Sequence, residues 1–116
     1  MNRLKTSRRI LETTTGRRQL RRMVSEFRRG ILGTHSSDGM CFAVCVPLQG
    51  YLHCLGYEAE LVEADFGKRN HVWLELSDGT IIDPTADQFS TPLARLPRVY
   101  IGPLPTMYEQ WMGQRA

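Results

Sequence analysis

The chain has 116 residues, 41% hydrophobic and 23% charged, with six Pro, ten Gly and three Cys. That length predicts one domain, because two halves would each be too small to bury a core. The apolar fraction excludes disorder throughout, and no apolar run reaches the roughly 18–20 residues of a membrane span. The odd cysteine count argues against a disulfide framework. Together with the lack of a signal-peptide-like apolar stretch, it predicts reduced thiols in the cytoplasm.

The formal net charge of +3 is unevenly distributed along the chain. Residues 1–30 carry ten of the fifteen Lys and Arg residues and two of the twelve acidic ones, a net charge of +8. Residues 31–116 carry five basic and ten acidic residues, a net charge of −5. We therefore predict a basic N-terminal arm, 1–30, and a mildly acidic body, 31–116, within one compact domain.

A basic amphipathic helix is predicted for residues 17–29. Its apolar residues recur at the spacing of one helical face; they are Leu20, Met23, Val24 and Phe27. Gly30 should end this helix, and residues 33–39 should form a loop. Three roles fit the arginines between Arg17 and Arg29: a solvated face without a partner, a contact with nucleic acid or an anionic membrane surface, or a docking surface for an acidic protein.

A second helix is predicted from about residue 40 to residue 55. Its apolar face repeats at intervals of four and three residues and comprises Cys41, Cys45, Leu48, Leu52 and Leu55. Gly56 is placed to end it. Pro47 has no N–H to donate, so it should kink the helix or force a local break.

Short strands follow the second helix. They are predicted at 57–64, 71–76 and 80–83, with a tight turn at Asp78-Gly79 before the last. In the middle strand Val72, Leu74 and Leu76 lie on one face, and His71, Trp73 and Glu75 on the other. After Pro84 the chain is rich in proline and should be mostly extended loop, with at most one short strand near 98–101. The order of elements predicts an α+β fold in which N-terminal helices pack on a small antiparallel sheet.

Three residues in these elements suit nucleophilic catalysis. Cys41 opens the second helix, where the positive end of the helix dipole stabilises a thiolate and lowers the thiol pKa. His71 begins a strand, on the face opposite the apolar one, and Asp83 ends the next strand. Together they supply a nucleophile, a base and a carboxylate that orients the base.

The spacing of these residues resembles the core of the transglutaminase-like superfamily, a branch of the papain-like cysteine enzymes. The shared landmarks, within residues 39–87, are Gly39-x-Cys41 at a helix start, Leu55-Gly56 one helix later, His71-x-Trp73 on a strand and Asp83-Pro84-Thr85. The resemblance implies a papain-like core in which Cys41 is the nucleophile, His71 the general base and acid, and Asp83 the orienting carboxylate. It also implies acyl transfer through a thioester on a protein or peptide amide, with no cofactor and no metal. The short body favours a glutamine deamidase or related amidohydrolase over a general peptidase.

Several points stay open in this interpretation. Beyond the backbone N–H of Cys41, the candidates for a second oxyanion donor are Gln19, His35 and Ser36. Trp73 either lines the cleft beside His71 or packs in the interior. Asp87 and Gln88 are expected in a solvated loop, with Asp87 as an alternative neighbour of the site.

The turn before the last strand decides whether Asp83 can reach His71. A two-residue turn pairs Leu74 with Asp83 and puts the carboxylate on the wrong face. A three-residue loop, with Gly79 in the left-handed region, pairs Trp73 with Asp83 and makes it a diagonal neighbour of His71. We predict the three-residue loop or an equivalent bulge; with the shorter turn, Asp87 would replace Asp83.

Other functions compete with the catalytic one. A free cysteine is most often a small buried residue, and Cys45 is expected to pack in the core. The cysteines and histidines do not form the two closely spaced Cys/His pairs that a structural zinc site needs, so a zinc site is not expected. The competing hypothesis is a catalytically silent binding module whose Arg-rich helix contacts nucleic acid or an acidic partner.

Overall fold

The computed structural model describes residues 14–113 apart from Lys68 and Ala94. In that part of the chain the elements are α1 (Thr14–Leu32), α2 (Cys41–Cys54), β1 (Ala59–Asp65), β2 (Asn70–Leu76), β3 (Ile81–Asp83), a 3₁₀ helix (Ala86–Phe89), β4 (Tyr100–Gly102) and α3 (Thr106–Gly113). The strands form an antiparallel sheet in the order β1-β2-β3-β4. The predicted α+β class is confirmed, whereas residues 1–13 of the predicted arm and 114–116 of the tail lie outside the described residues. No helix within the described ranges is long and apolar enough to cross a membrane.

Helix α1 buries the apolar face that its sequence predicts. Leu20 and Val24 are buried in the core formed with α2 and the sheet, and Met23 and Phe27 pack against it. Burial of this face is what stabilises a helix otherwise surrounded by arginines, since most helical stability in proteins comes from tertiary packing.

The end of α1 differs from the prediction. The helix passes through Gly30 and continues to Leu32, so the prediction that Gly30 ends it is wrong. A glycine inside a helix costs about 1 kcal/mol relative to alanine, and burial of Leu32 offsets that cost. Gly33, at φ +58°, is the residue that ends the helix, and its N–H donates to the Arg29 carbonyl at 2.8 Å.

Helix α2 runs through Pro47 as one element, so the predicted local break does not occur. Pro47 cannot donate to the carbonyl of Ala43, but both residues are exposed and water can supply the missing donor. The helix ends before Gly56 as predicted, with φ +95° at that glycine. The N–H groups of Gly56 and Tyr57 return to the last turn at 3.0 and 2.9 Å, the pattern of a Schellman motif.

The sheet is covered on both faces. The face toward α1 and α2 buries Val72, Leu74, Leu76 and Ile82. On the opposite face an aromatic cluster contains Phe66, Trp73 and Tyr108 together with Ile81. The two predicted faces of β2 are therefore confirmed, and the second is also buried because α3 packs over it.

The segment after Pro84 contains more structure than predicted. Strand β4 matches the single short strand expected near 98–101, but the 3₁₀ helix and α3 contradict the prediction of a mostly extended loop. Helix α3 begins directly after Pro105, whose carbonyl accepts the N–H groups of Tyr108 and Glu109 at 3.0 and 3.3 Å. Proline is favourable at a helix start because its missing N–H would have no intrahelical partner there. The proline that suggested a loop thus marks the beginning of a helix.

Candidate active site

The turn between β2 and β3 has the form that the site requires. Leu74 pairs with Ile82, so residues 77–79 form a three-residue loop whose final glycine has φ +91°. The prediction of a three-residue loop is confirmed. By the same register, Asp83 lies diagonally across from His71 on one face of the sheet.

His71 and Asp83 form a fully buried, hydrogen-bonded pair. Both side chains are 0% exposed, and His71 Nε2 lies 2.5 Å from Asp83 Oδ2. The other carboxylate oxygen, Oδ1, accepts the backbone N–H of Thr85 at 3.0 Å. Oδ2 also accepts the hydroxyl of Tyr108 from α3. A buried carboxylate needs such donors, and they fix Asp83 so that it orients the imidazole with Nδ1 turned away from the carboxylate.

Cys41 interacts with this pair from the N-terminus of α2, and the residue is 9% exposed. Burial raises the pKa of the Cys41 thiol. The hydrogen bond with His71, backbone hydrogen bonds from Val72 and Phe42, and the charge on His71 outweigh burial, so the pKa lies below its usual 9.0. The opposite balance holds at the imidazole: burial lowers the pKa of His71, but hydrogen bonds and charges from Asp83 and Cys41 raise it above 6.5. Both shifts favour transfer of the thiol proton to His71.

Gln88, expected in a solvated loop, contacts His71 directly. Its Nε2 lies 3.3 Å from His71 Nδ1 and donates to Thr85 Oγ1 at 2.9 Å. Its Oε1 accepts the Arg69 guanidinium at 2.9 Å and the backbone N–H of Gly39 at 3.3 Å. The same side chain therefore connects the loop before Cys41 with the base. Its position in the 3₁₀ helix after Asp83-Pro84-Thr85 was not evident from local sequence patterns.

Aromatic rings surround the imidazole. Phe66, Trp73, Phe89 and Tyr108 have ring centroids 4.5 to 5.8 Å from that of His71. Trp73 is 2% exposed, which settles its two alternatives in favour of interior packing. Its indole Nε1 has no hydrogen-bond partner among the described residues. The aromatic shell excludes water, and a low local dielectric strengthens the interactions of the charged groups inside it.

Asp87 lies beside the site and ties it to α1. Arg28 Nη1 and Nη2 donate to its two oxygens at 2.9 Å each, and the Ser37 hydroxyl donates at 2.7 Å. The same guanidinium donates to the carbonyls of Pro84 and Arg98 at 3.2 and 2.7 Å. Burial raises the pKa of Asp87, but the hydrogen bonds from Arg28 and Ser37 outweigh it and hold the pKa below 3.8. Asp87 is thus an anchor for the segment that carries Gln88, and His71 is oriented by Asp83.

Among the described residues, the other predicted neighbours form no hydrogen bond with the triad. Gln19 lies on the exposed side of α1, and His35 in the exposed loop after it. Ser36 Oγ accepts the backbone N–H of Asp38 at 3.1 Å. Cys45 is fully buried and donates to the Val72 carbonyl at 3.5 Å. Burial, reinforced by the charges of Asp83 and Cys41, raises the pKa of Cys45, so this thiol is a packing residue.

All three cysteines are free thiols. Among the described residues, no group of three His, Cys, Asp or Glu side chains is placed to hold a metal ion. The chain matches no protein-family model, no curated protein and no solved structure. The chemistry is therefore inferred from the site itself: a thiol, an imidazole and an orienting carboxylate in contact, which is an arrangement suited to nucleophilic catalysis.

Proposed function

We propose that the protein is a cysteine-dependent acyl-transfer enzyme with a transglutaminase-like, papain-related core, and that it cleaves a carboxamide through a thioester. The observation that carries this proposal is the connected series Cys41–His71–Asp83, in which the thiol pKa is lowered and the imidazole pKa is raised. Matched shifts of this kind are typical of nucleophile and base pairs at functional sites.

The reaction starts with transfer of the Cys41 proton to His71 Nδ1, because Nε2 is occupied by Asp83. The thiolate attacks the carboxamide carbon and forms a C–S bond, and the carbonyl oxygen takes up the negative charge. His71 then gives its Nδ1 proton to the leaving nitrogen as the C–N bond breaks. Water, deprotonated by His71, attacks the thioester; the C–O bond forms, the C–S bond breaks, and the proton returns from His71 to the sulfur. Asp83 holds the imidazole in place and stabilises the imidazolium.

The burial of the site favours a small reacting group. Cys41 is 9% exposed, and His71 and Asp83 are 0% exposed, so Cys41 is the one member of the triad that reaches the surface. One protruding carboxamide fits this arrangement better than an extended peptide bound along a cleft. We therefore favour deamidation of a glutamine side chain on a partner protein, or a related amidohydrolysis.

A second candidate function uses the basic face of α1. Arg18, Arg22 and Arg29 are exposed, and an acidic protein or nucleic acid would be attracted to them. This would make the protein a binding module whose triad is silent. Three results together would favour this function. The protein binds an acidic polymer with an affinity that falls steeply as salt is added, it binds equally well as Cys41→Ala, and it forms no acyl-enzyme.

Trapping of the acyl-enzyme tests the main proposal. The protein is mixed with p-nitrophenyl acetate and analysed by intact and peptide mass spectrometry, and ammonia release is measured with a blocked glutamine dipeptide. We expect one acetyl group per chain, on Cys41, with ammonia release lost in Cys41→Ala. Cys54→Ala, which removes an exposed thiol at the end of α2, is the matched control and should behave as wild type. Acetylation spread over several cysteines, or unchanged in Cys41→Ala, would contradict the proposal.

A further inference from the structure

We propose that Gln88 is a catalytic residue: its side-chain N–H donates a hydrogen bond to the oxyanion that forms when Cys41 attacks a carbonyl. This inference rests on the proposed function. It assigns to Gln88 the second oxyanion donor, for which Gln19, His35 and Ser36 were the candidates.

The orientation of the Gln88 amide follows from its contacts. The atom assigned as Oε1 faces two donors, the Arg69 guanidinium at 2.9 Å and the Gly39 N–H at 3.3 Å. An amide nitrogen in that position would face two other donors and lose both bonds. The NH₂ group must therefore face the triad, where it lies 2.9 Å from Thr85 Oγ1 and 3.3 Å from His71 Nδ1.

The NH₂ group lies next to the reacting atoms. His71 Nε2 is bonded to Asp83, so Nδ1 is the nitrogen that exchanges a proton with Cys41. Gln88 Nε2 and the Cys41 sulfur are thus both neighbours of one ring nitrogen. The proposal requires the oxygen of a carbonyl carbon bonded to that sulfur to lie within hydrogen-bond reach of the Gln88 amide N–H.

The state of Nδ1 controls what this N–H can bond. When the imidazole is neutral, the second Gln88 N–H and the Cys41 thiol both face the single Nδ1 lone pair. Once Nδ1 takes the Cys41 proton, the lone pair is used, and the N–H has no acceptor there. The donor is therefore released in the step that produces the nucleophile, immediately before the oxyanion develops. The N–H of Cys41 itself, at the first position of α2 where helical N–H groups lack intrahelical partners, supplies the other donor.

Two reactions of the same thiol distinguish an oxyanion donor from a residue that only positions His71. Alkylation by iodoacetamide displaces iodide from a CH₂ carbon and forms no oxyanion, whereas acylation by p-nitrophenyl acetate does. In Gln88→Ala we expect the acylation rate of Cys41 to fall by about 10²–10³, while the rate and pH profile of alkylation stay close to wild type. Gln88→Met, which keeps the length of the side chain but has no N–H group and adds no charge beside His71, should show the same selective loss.

Gln49→Ala is the matched control, because this glutamine lies on α2, donates to the Ala59 carbonyl at 2.9 Å and forms no hydrogen bond with the triad among the described residues; both reactions should be unchanged. If Gln88→Ala and Gln88→Met slow both reactions equally, or slow neither, the inference is overturned while the proposed function stands. If wild-type Cys41 is alkylated but never acylated, the proposed function fails, and the role of Gln88 fails with it.

Discussion

Replacing Tyr108 by phenylalanine removes one hydroxyl from a buried ring of α3 and leaves the ring in place. That hydroxyl donates to Asp83 Oδ2, and both side chains are 0% exposed, so solvent is not positioned to replace it. A hydrogen bond to a charged group contributes about 1.5–3 kcal/mol. For a domain of this size, a change of 1 kcal/mol shifts Tm by roughly 3–6 °C. We therefore expect the free energy of unfolding to fall by about 1.5–3 kcal/mol and Tm by roughly 5–18 °C.

The assay is urea unfolding at pH 7 followed by tryptophan fluorescence, since the Trp73 and Tyr108 ring centroids lie 5.4 Å apart. Tyr100→Phe is the control, because its hydroxyl donates to a neutral acceptor, the Pro103 carbonyl, at an exposed position. This variant should lose no more than about 1 kcal/mol. Equal losses in the two variants would refute the reasoning, because they would mean that the bond to the buried carboxylate contributes nothing beyond an ordinary one.

Three further predictions concern the packing of α1. Gly30→Ala should raise the free energy of unfolding by about 0.5–1 kcal/mol, since an added Cβ meets nothing within 4 Å. Gly33→Ala should lower it by about 1–2 kcal/mol, because Gly33 has a φ of +58°. Chemical denaturation measures both variants, and changes of the same sign would contradict the assigned helix end. Asp87→Asn should be less stable than wild type at neutral pH. Because the folded pKa of Asp87 is depressed, that difference should shrink as the pH falls through and below 3.8, and a difference that is constant with pH would exclude the ion pair as its source. Arg28→Lys should lose about 1–2 kcal/mol in thermal unfolding, because lysine lacks the planar donor pair and its three N–H groups cannot replace all four Arg28 hydrogen bonds. A loss no larger than that of exposed Arg22→Lys would count against the anchor.

Local patterns were sufficient to predict the part of the site that neighbouring strands determine. The alternation of β2 assigned His71 to one face, and the choice between two turn lengths determined on which face Asp83 lies. The positive φ of Gly79 and the Leu74–Ile82 pairing follow the predicted alternative. Such features depend on residues close in sequence, which is why they could be predicted.

The rest of the site depends on contacts between distant segments. Tyr108 is 25 positions from Asp83, and Gln88 is 17 from His71, so no short-range periodicity relates them. Helix α3 did leave a local signal: Met107, Tyr108, Trp111 and Met112 follow a helical spacing after Pro105. The proline-rich composition around it outweighed that signal.

The charge asymmetry also has a structural component that composition alone does not reveal. Arg21 Nη1 donates to the Val99 carbonyl at 2.7 Å, and Arg28 binds Asp87 and two backbone carbonyls. These two arginines of the predicted arm hold the C-terminal segments against α1. Part of the +8 charge of residues 1–30 therefore lies on arginines that form hydrogen bonds within the fold. A binding partner would contact only the arginines that remain exposed.

The most direct test of the central claim is the pH dependence of Cys41 alkylation by iodoacetamide, measured by peptide mass spectrometry in wild type and in His71→Ala, with Cys54 in the same samples as the reference thiol. We predict that wild-type Cys41 reaches half of its maximal rate below pH 9.0. In His71→Ala the midpoint should move upward, because burial raises the pKa of the thiol and the main opposing interaction is gone. A wild-type midpoint at or above 9.0, or one that does not move in His71→Ala, would contradict the assignment of Cys41 as an activated nucleophile.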